Sequence, residues 1–204
     1  MRQLLSHPMV YETFQSLMGA PRGRQILVRD VLDLRPGQRL LDIGCGPAGL
    51  LAAVPADVDY TGIDGSPEYI AAARARFGKR GTFIEGLIDP NWQPPDLQPF
   101  DRIVAIGLLH HLDDESCRTL LRCARSLLAL DGRFVSLDPV IDPSQTPFAR
   151  YLVKRDRGEF IRTAPGYHDL AASVFDDFEG VVRNDLLNIP YTHYCLTGRA
   201  PAPA

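Results

Sequence analysis

The sequence predicts an α/β fold, a doubly wound and mostly parallel sheet with helices on both faces and an antiparallel strand pair at the C-terminus. Three observations predict it. Between residues 39 and 139 short apolar runs alternate with stretches of helical period, the pattern of successive strand–helix units. The first run ends directly in a glycine-rich turn, Gly44-Cys45-Gly46-Pro47-Ala48-Gly49. Near the C-terminus, Phe178 to Leu187 and Tyr191 to Thr197 are separated by Asn188-Ile189-Pro190, a link short enough to require antiparallel neighbours. The 204 residues support one sizeable core and not two comfortable ones. The expected organisation is therefore one domain: a helical cap over 1–36, a core over 39–138, an insertion over 139–170 and closing strands over 178–199.

Each element has a local reason. Val10, Phe14, Leu17 and Met18 mark a helix near Pro8 to Met18, broken by Gly19-Ala20-Pro21. Ile26, Leu27, Val31, Leu32 and Leu34 mark a second helix, which stops at Pro36-Gly37. Arg39 to Ile43 and Val58 to Asp64 are strands. Ser66 caps the helix that follows, with Pro67 at its first position, and that helix runs to about Phe77. Thr82 to Glu85 and Phe100 to Ile106 are the third and fourth strands, separated by a proline-rich loop. Asp113 or Asp114 caps a long helix whose face is Cys117, Leu120, Leu121, Ala124, Leu127 and Leu128, ended by Asp131-Gly132. Arg133 to Leu137 is a fifth strand, closed by Asp138-Pro139. The periodicity then fades for about 30 residues.

Composition narrows the function classes. Lys and Arg number 22 against 25 Asp and Glu, a net charge of −3 that argues against a dedicated nucleic-acid binder. The longest uncharged apolar run, Ile103 to Leu109, is far below the ~18 residues of a membrane helix. The N-terminus carries no apolar run of signal-peptide length. The four cysteines, Cys45, Cys117, Cys123 and Cys195, form no Cys-x-x-Cys pair, so no metal site and no disulfide framework is expected. A cytoplasmic protein, monomeric or homodimeric and without a membrane partner, is the resulting expectation.

The glycine turn carries the strongest chemical signal. Its spacing fits Gly-x-Gly-x-x-Gly between a strand and an expected helix, a pattern that by itself fits a dinucleotide site or a bare tight turn. Two carboxylates shift the reading. Asp42 stands two residues before the first glycine, and Asp64 ends the next strand, 20 residues after Gly44. The segment Leu41-Asp42-Ile43-Gly44-Cys45-Gly46-Pro47, the block Tyr60 to Pro67 and the block Phe100 to Asp114 together resemble the class I S-adenosylmethionine-dependent methyltransferases. The resemblance covers roughly Arg39 to Pro139. It implies a seven-stranded sheet of order 3-2-1-4-5-7-6, S-adenosylmethionine as cofactor and S-adenosylhomocysteine as product. It implies methyl transfer to a small-molecule acceptor. An RNA or protein methyltransferase and a non-catalytic S-adenosylmethionine-binding module are the alternatives; the nucleic-acid base-methylating motif is replaced here by Ile106-Gly107-Leu108-Leu109.

The physical chemistry agrees with a cationic ligand. Asp42 suits an ammonium or sulfonium through charge or a bridging water. Gly44, Cys45, Gly46 and Gly49 bring backbone close to the ligand, and glycine removes the side-chain clash. Asp64 can accept from both ribose hydroxyls. Gly65, Ser66, Leu87, Ile88, Gly107 and Leu108 are expected to complete the cofactor site around the adenine. Many relatives place Gly-Asp after the third strand; this chain has Gly86-Leu87-Ile88-Asp89, so Asp89 or backbone groups would meet the adenine amino group.

The acceptor side rests on fewer signals. His110 and His111 follow the fourth strand at the carboxyl edge, where open α/β sheets bind ligands. One reading has His111, with His110 beside it, taking a proton from the acceptor; the other has both holding the loop. Tyr11, Phe14, Gln15, Asp138 and Arg157 are the expected substrate contacts. Residues 150–162 carry five basic and two acidic side chains, with Arg150, Lys154 and Arg157 on one helical face, either a lid for an anionic acceptor or a solvated surface.

Overall fold

The computed structural model describes residues 19–88 and 98–200. The expected helix near Pro8 to Met18, with Tyr11, Phe14 and Gln15, lies outside the described residues, as does Asp89. The chain opens with helix α1 (Ala20–Ile26), which continues as a π-helical turn (Leu27–Leu32) and ends at Asp33, a residue with positive φ. Strand β1 (Arg39–Ile43) leads into the glycine turn. Next come β2 (Asp59–Asp64), α2 (Pro67–Phe77), β3 (Thr82–Glu85) and β4 (Phe100–Ile106). Helix α3 (Asp114–Ser126), β5 (Leu128–Pro139), α4 (Pro147–Lys154) and α5 (Ala164–Ala172) follow. Strands β6 (Phe178–Arg183) and β7 (His193–Arg199) complete the chain.

The seven strands form one sheet in the order β3-β2-β1-β4-β5-β7-β6. The first five are parallel, and β7 runs antiparallel to both β5 and β6. Alternation along the strands divides the core into two layers. Leu41, Ile43, Ile103, Ala105 and Phe134 pack with α3 and α5 on one face, through Leu120, Leu121, Tyr167 and Leu170. Leu40, Tyr60, Val104 and Val135 pack with α1 and α2 on the other, through Leu27, Leu32, Ile70 and Ala73. Side chains at successive strand positions point to opposite faces, so a strand buried on both reads as a continuous apolar run. Buried Arg102 ties α1 to β4, its Nε donating to the Leu32 carbonyl at 2.7 Å.

Local signals set most boundaries. Ser66 Oγ accepts from Tyr69 N, and Asp113 accepts from Ser116 N at 2.8 Å, so both expected caps are made. Four expectations are corrected. No regular helix follows the glycine turn; Gly49–Ala52 is a single 3₁₀ turn. Helix α3 stops before Leu127 and Leu128, because Leu128 pairs with Phe100 and starts β5; the ladder then skips Ala129 to Gly132 and resumes at Arg102↔Arg133. The first closing strand is shorter than expected and the second starts and ends two residues later, leaving residues 184–192 as their connection. The insertion is not patternless but holds α4 and α5. Since α4 ends at Lys154, Arg157 shares no helical face with Arg150.

Leu120 is buried at the centre of the α3 face. Leu120→Ala is expected to cost about 2–5 kcal/mol of stability, the range for emptying a packed leucine site. Urea unfolding reads it; a loss under about 1 kcal/mol would show that the site collapses around the smaller side chain.

Candidate active site

The carboxyl edge of the sheet opens into a cavity of about 650 Å³. The ends of β1, β2, β4 and β5 form its base, and α1, residues 152–157 and residues 186–193 form its walls. Strand order decides this position. Connections leaving β1 and β4 depart toward opposite faces, so a crevice is left between their carboxyl ends.

The glycine turn forms one half. Gly44 N and Cys45 N both donate to the Ile63 carbonyl, which locks the turn to β2. Gly46 has φ +54°, and a Cβ there would meet no heavy atom within 4 Å, so its backbone borders open cavity. Asp64 is pinned at both oxygens: Oδ2 accepts from Gly46 N and Oδ1 from Ser66 N, each at 2.8 Å. Each carboxylate oxygen keeps a further lone pair for a ligand hydroxyl. Asp42 is buried at the base, where its Oδ2 accepts from the Tyr60 hydroxyl at 2.7 Å. Burial raises its pKa to about 7 against the opposing effects of Tyr60 and the Arg24 charge.

Gly49 lines the cavity too, but its missing side chain serves a neighbour: a Cβ would stand 2.7 Å from the Arg24 guanidinium carbon. Gly107 and Leu108 line the same half. Gly65, Ser66, Leu87 and Ile88 fall outside the lining. Ser66 is spent on the α2 cap, Leu87 is exposed, and Gly65 leaves room for the Leu87 side chain.

The other half is built around His110. This ring is buried between two carboxylates, Nδ1 lying 2.9 Å from Asp138 Oδ1 and Nε2 lying 3.1 Å from Asp156 Oδ1. Burial alone would lower its pKa, but hydrogen bonds and charge from Asp138 and Asp156 prevail and raise it to about 9. His110 is therefore an imidazolium at neutral pH and a poor proton acceptor. Asp156 also accepts from the Tyr191 hydroxyl at 2.6 Å and from Gly158 N, and its pKa lies well below the usual carboxylate range despite burial.

His111 stacks obliquely on His110, ring centroids 4.1 Å apart, and stands exposed at the cavity rim. Partial burial and the His110 charge lower its pKa. Asp138, expected to meet substrate, is fully buried and absent from the lining; it holds the His110 ring and backbone N–H instead. Arg157 does line the cavity and is exposed. Arg162 does not act as a lid residue. Its guanidinium donates to the carbonyls of Leu109, Leu112 and Phe160 and pairs with Asp114, clamping the histidine turn.

Asp156, Tyr191, His193, Tyr69 and Arg24 line the cavity without having been anticipated. A signal existed for the insertion: Thr146-Pro147 and Thr163-Ala164-Pro165 are cap-plus-proline helix starts, and both caps form. No local pattern marks Asp156 or His193. Among the described residues no group of three or more His, Cys, Asp or Glu is placed to hold a metal ion.

Residues 41–134 match a family model described as a methyltransferase domain. Over those residues the chain matches the methyltransferase family. Over 189 residues it is 30% identical to phosphoethanolamine N-methyltransferase 3 of Arabidopsis thaliana, covering 86% of this chain and 38% of that protein. Over 122 residues it is 30% identical to the cyclopropane-fatty-acyl-phospholipid synthase of Escherichia coli, covering 59% and 31%. The chain thus spans about a third of these curated relatives. Its fold superposes on human N-acetylserotonin methyltransferase with a TM-score of 0.71 at 20% identity, over 98% of this chain and 56% of that one. The plantazolicin methyltransferase BamL gives 0.71 at 14% identity, over 98% and 94%. The class I methyltransferase sheet and its seventh-strand reversal are therefore the fold of this chain.

The charge on His110 couples stability to pH. With its pKa raised in the folded state, the contribution of this group is complete below about pH 6 and is lost as pH rises through about 9. Urea unfolding of the wild type should lose on the order of 3 kcal/mol between about pH 6 and about pH 10, relative to the change in His110→Gln. Parallel pH profiles for the two proteins would show that the ring is not charged in the folded state.

Proposed function

We propose that this chain transfers a methyl group from S-adenosylmethionine to a small-molecule acceptor bound in the second half of the cavity. One observation carries the reading. The glycine turn has a buried carboxyl, Asp42, at its base and is followed by one 3₁₀ turn rather than a helix. A pyrophosphate at such a turn needs a helix N-terminus with free N–H groups and positive potential. Here a dianion would meet no helix dipole and two carboxyls, Asp42 and Asp64, against the single guanidinium of Arg24, whereas an ammonium or sulfonium meets complementary groups. The ligand favoured at this turn is a cationic nucleoside, not a dinucleotide.

The residues fit that group. Gly46 leaves backbone open to the ligand, and Asp64, held at both oxygens, is aligned to accept from two ribose hydroxyls. Asp42 supplies negative charge for the amino-acid end, with Gly44, Cys45 and Leu108 closing the pocket around it. Bound S-adenosylmethionine supplies a methyl group on a sulfonium, already activated for in-line displacement. The protein's share is orientation and exclusion of water by the walls that α1, residues 152–157 and residues 186–193 provide. The named activity of the Arabidopsis relative, methylation of phosphoethanolamine, and of the human neighbour, methylation of N-acetylserotonin, supports a small acceptor.

Calorimetry with S-adenosylhomocysteine and with NAD tests the reading: binding of the first and not the second is expected, and the reverse would overturn it. Asp64→Ala should weaken S-adenosylhomocysteine by about 1.5–3 kcal/mol, the scale of hydrogen bonds to a charged group. An unchanged dissociation constant would place the ribose elsewhere.

Asp42 makes binding pH-dependent. Its carboxyl is mostly protonated below pH 7 and ionised above. Affinity for S-adenosylhomocysteine should rise several-fold from about pH 5.5 to about pH 7.5, following ionisation of this carboxyl. Asp42→Asn should flatten that profile; an equal rise in the variant would assign the titration to another group.

A further inference from the structure

The outer face of α4 is aromatic and uniformly basic. Ala149 and Val153 are buried and seat the helix on the molecule, while Phe148, Arg150, Tyr151 and Lys154 point away from it and are exposed. Phe148 is 58% exposed and Tyr151 is 51% exposed. Single apolar side chains at a surface need no explanation, but two large rings on one helix face, set among cations, form a patch of the kind that meets a partner.

Helical geometry orders this face. With 3.6 residues per turn, Arg150 and Lys154 share one flank, Tyr151, Arg155 and Phe148 form the next stripe, and Leu152 follows on the far side. The Arg155 guanidinium lies over the Tyr151 ring, 5.1 Å from its centroid, so cation and ring form one unit. Leu152 and Arg155 also line the cavity. The aromatic stripe therefore runs between a basic flank and the cavity mouth.

Charge complementarity names the partner. Every exposed charged side chain from residue 143 to residue 158 is positive: Arg150, Lys154, Arg155 and Arg157. Asp156 is occupied by His110 and Tyr191, and Asp142 accepts from Ser144 N. Among the described residues none of the four cations forms an ion pair. The whole chain carries −3, so this local excess runs against its composition and calls for an anionic counterpart. Residues 1–18 supply none, with Arg2 against Glu12. Rings and cations side by side on a convex helix match a lipid–water interface, where aromatic rings sit at headgroup level and Lys and Arg reach anionic headgroups.

We propose that the outer face of α4 docks on an anionic lipid surface, with Phe148 and Tyr151 in the headgroup layer and Arg150, Lys154 and Arg155 against lipid phosphates. Among the described residues no helix is long and apolar enough to cross a membrane, so α4 lies on the surface and does not span it. The proposal departs from the expectation of no membrane partner, which rested on spanning runs. Docking in this way sets the mouth of the cavity, at Leu152 and Arg155, beside the lipid layer.

Co-sedimentation with two kinds of vesicle tests it, one of phosphatidylcholine alone and one of phosphatidylcholine mixed with phosphatidylglycerol. The protein should pellet with the mixed vesicles at low salt, bind the uncharged ones far more weakly, and be released as salt rises. Arg150→Gln combined with Lys154→Gln should weaken binding about ten- to thirty-fold, since each cation at an anionic leaflet is worth about five-fold. Phe148→Ser combined with Tyr151→Ser should weaken it several-fold with the charge unchanged. These four side chains are exposed and lie outside the cavity lining, so both double variants should keep the wild-type circular dichroism spectrum and urea midpoint.

No binding to the mixed vesicles at low salt would overturn the proposal. So would binding that neither double variant reduces, because the contact would then lie on another surface. A loss confined to the charge variant would overturn the seating of the rings in the headgroup layer. Sedimentation velocity without lipid reads the rival occupant: a dimer that Phe148→Ser with Tyr151→Ser turns into a monomer would assign this face to a second copy of the chain and overturn lipid docking. Vesicle binding and S-adenosylhomocysteine binding are measured separately, so failure of either leaves the other reading standing.

Discussion

A buried carboxylate on β5 constrains the half of the cavity built around His110. Asp138 is fully buried, and a carboxylate taken out of water costs several kcal/mol unless a cation and hydrogen bonds meet it. His110 meets it, with both ring and backbone N–H on one oxygen. The charged ring in turn needs a second partner, and Asp156 supplies it. That demand draws the segment after α4 across the sheet edge. Gly158 is a consequence: a Cβ there would stand 2.0 Å from the His110 ring, so no other residue fits without displacing the ring. Phe160 N donating to the His110 carbonyl and Arg162 gripping the Leu109 and Leu112 carbonyls complete the attachment. The insertion is thus fastened to the core by charge and main-chain hydrogen bonds as well as by the apolar packing of Tyr167 and Leu170.

The cavity that results has two halves of opposite character. Backbone and two acidic side chains make the first, on β1 and β2, where glycine conformations decide what fits. Side chains make the second, drawn from β4, β5, the 152–157 segment and the start of β7. Asp42 and Asp64 lie on the first side with Arg24 over them at Gly49, and Arg155 and Arg157 line the second beside Asp156.

The missing helix after the glycine turn changes what α1 must do. With only Gly49–Ala52 in a 3₁₀ turn, α1 helps to cover that part of the sheet, sending Leu27 and Leu32 into the core beside Leu50 and Leu51. Arg24 then reaches over Gly49, close enough to lower the Asp42 pKa against the effect of burial. One short local element thus bears on both the packing of the N-terminal helix and the charge of Asp42.

What the sequence determined by itself follows from interactions between near neighbours. Ser66-Pro67 and Asp113 start helices with their own side chains, strands β1 to β4 are apolar runs bounded by turn residues, and the glycine spacing sets the loop that opens the cavity. Gly44, Cys45, Gly46, Asp42 and Asp64 were legible for that reason. Helices α4 and α5 were not, being eight and nine residues long with few buried positions to mark a face, although their Thr-capped starts are present. The strand order came from the family resemblance, since periodicity does not state which strands lie side by side. Only the tertiary structure decided that Asp138 supports His110 instead of lining the cavity, and that Asp156 closes the pair. His110, Asp138 and Asp156 are separated by 18 to 46 positions along the chain, and burial, which sets their charges, exists only once the sheet has brought them together.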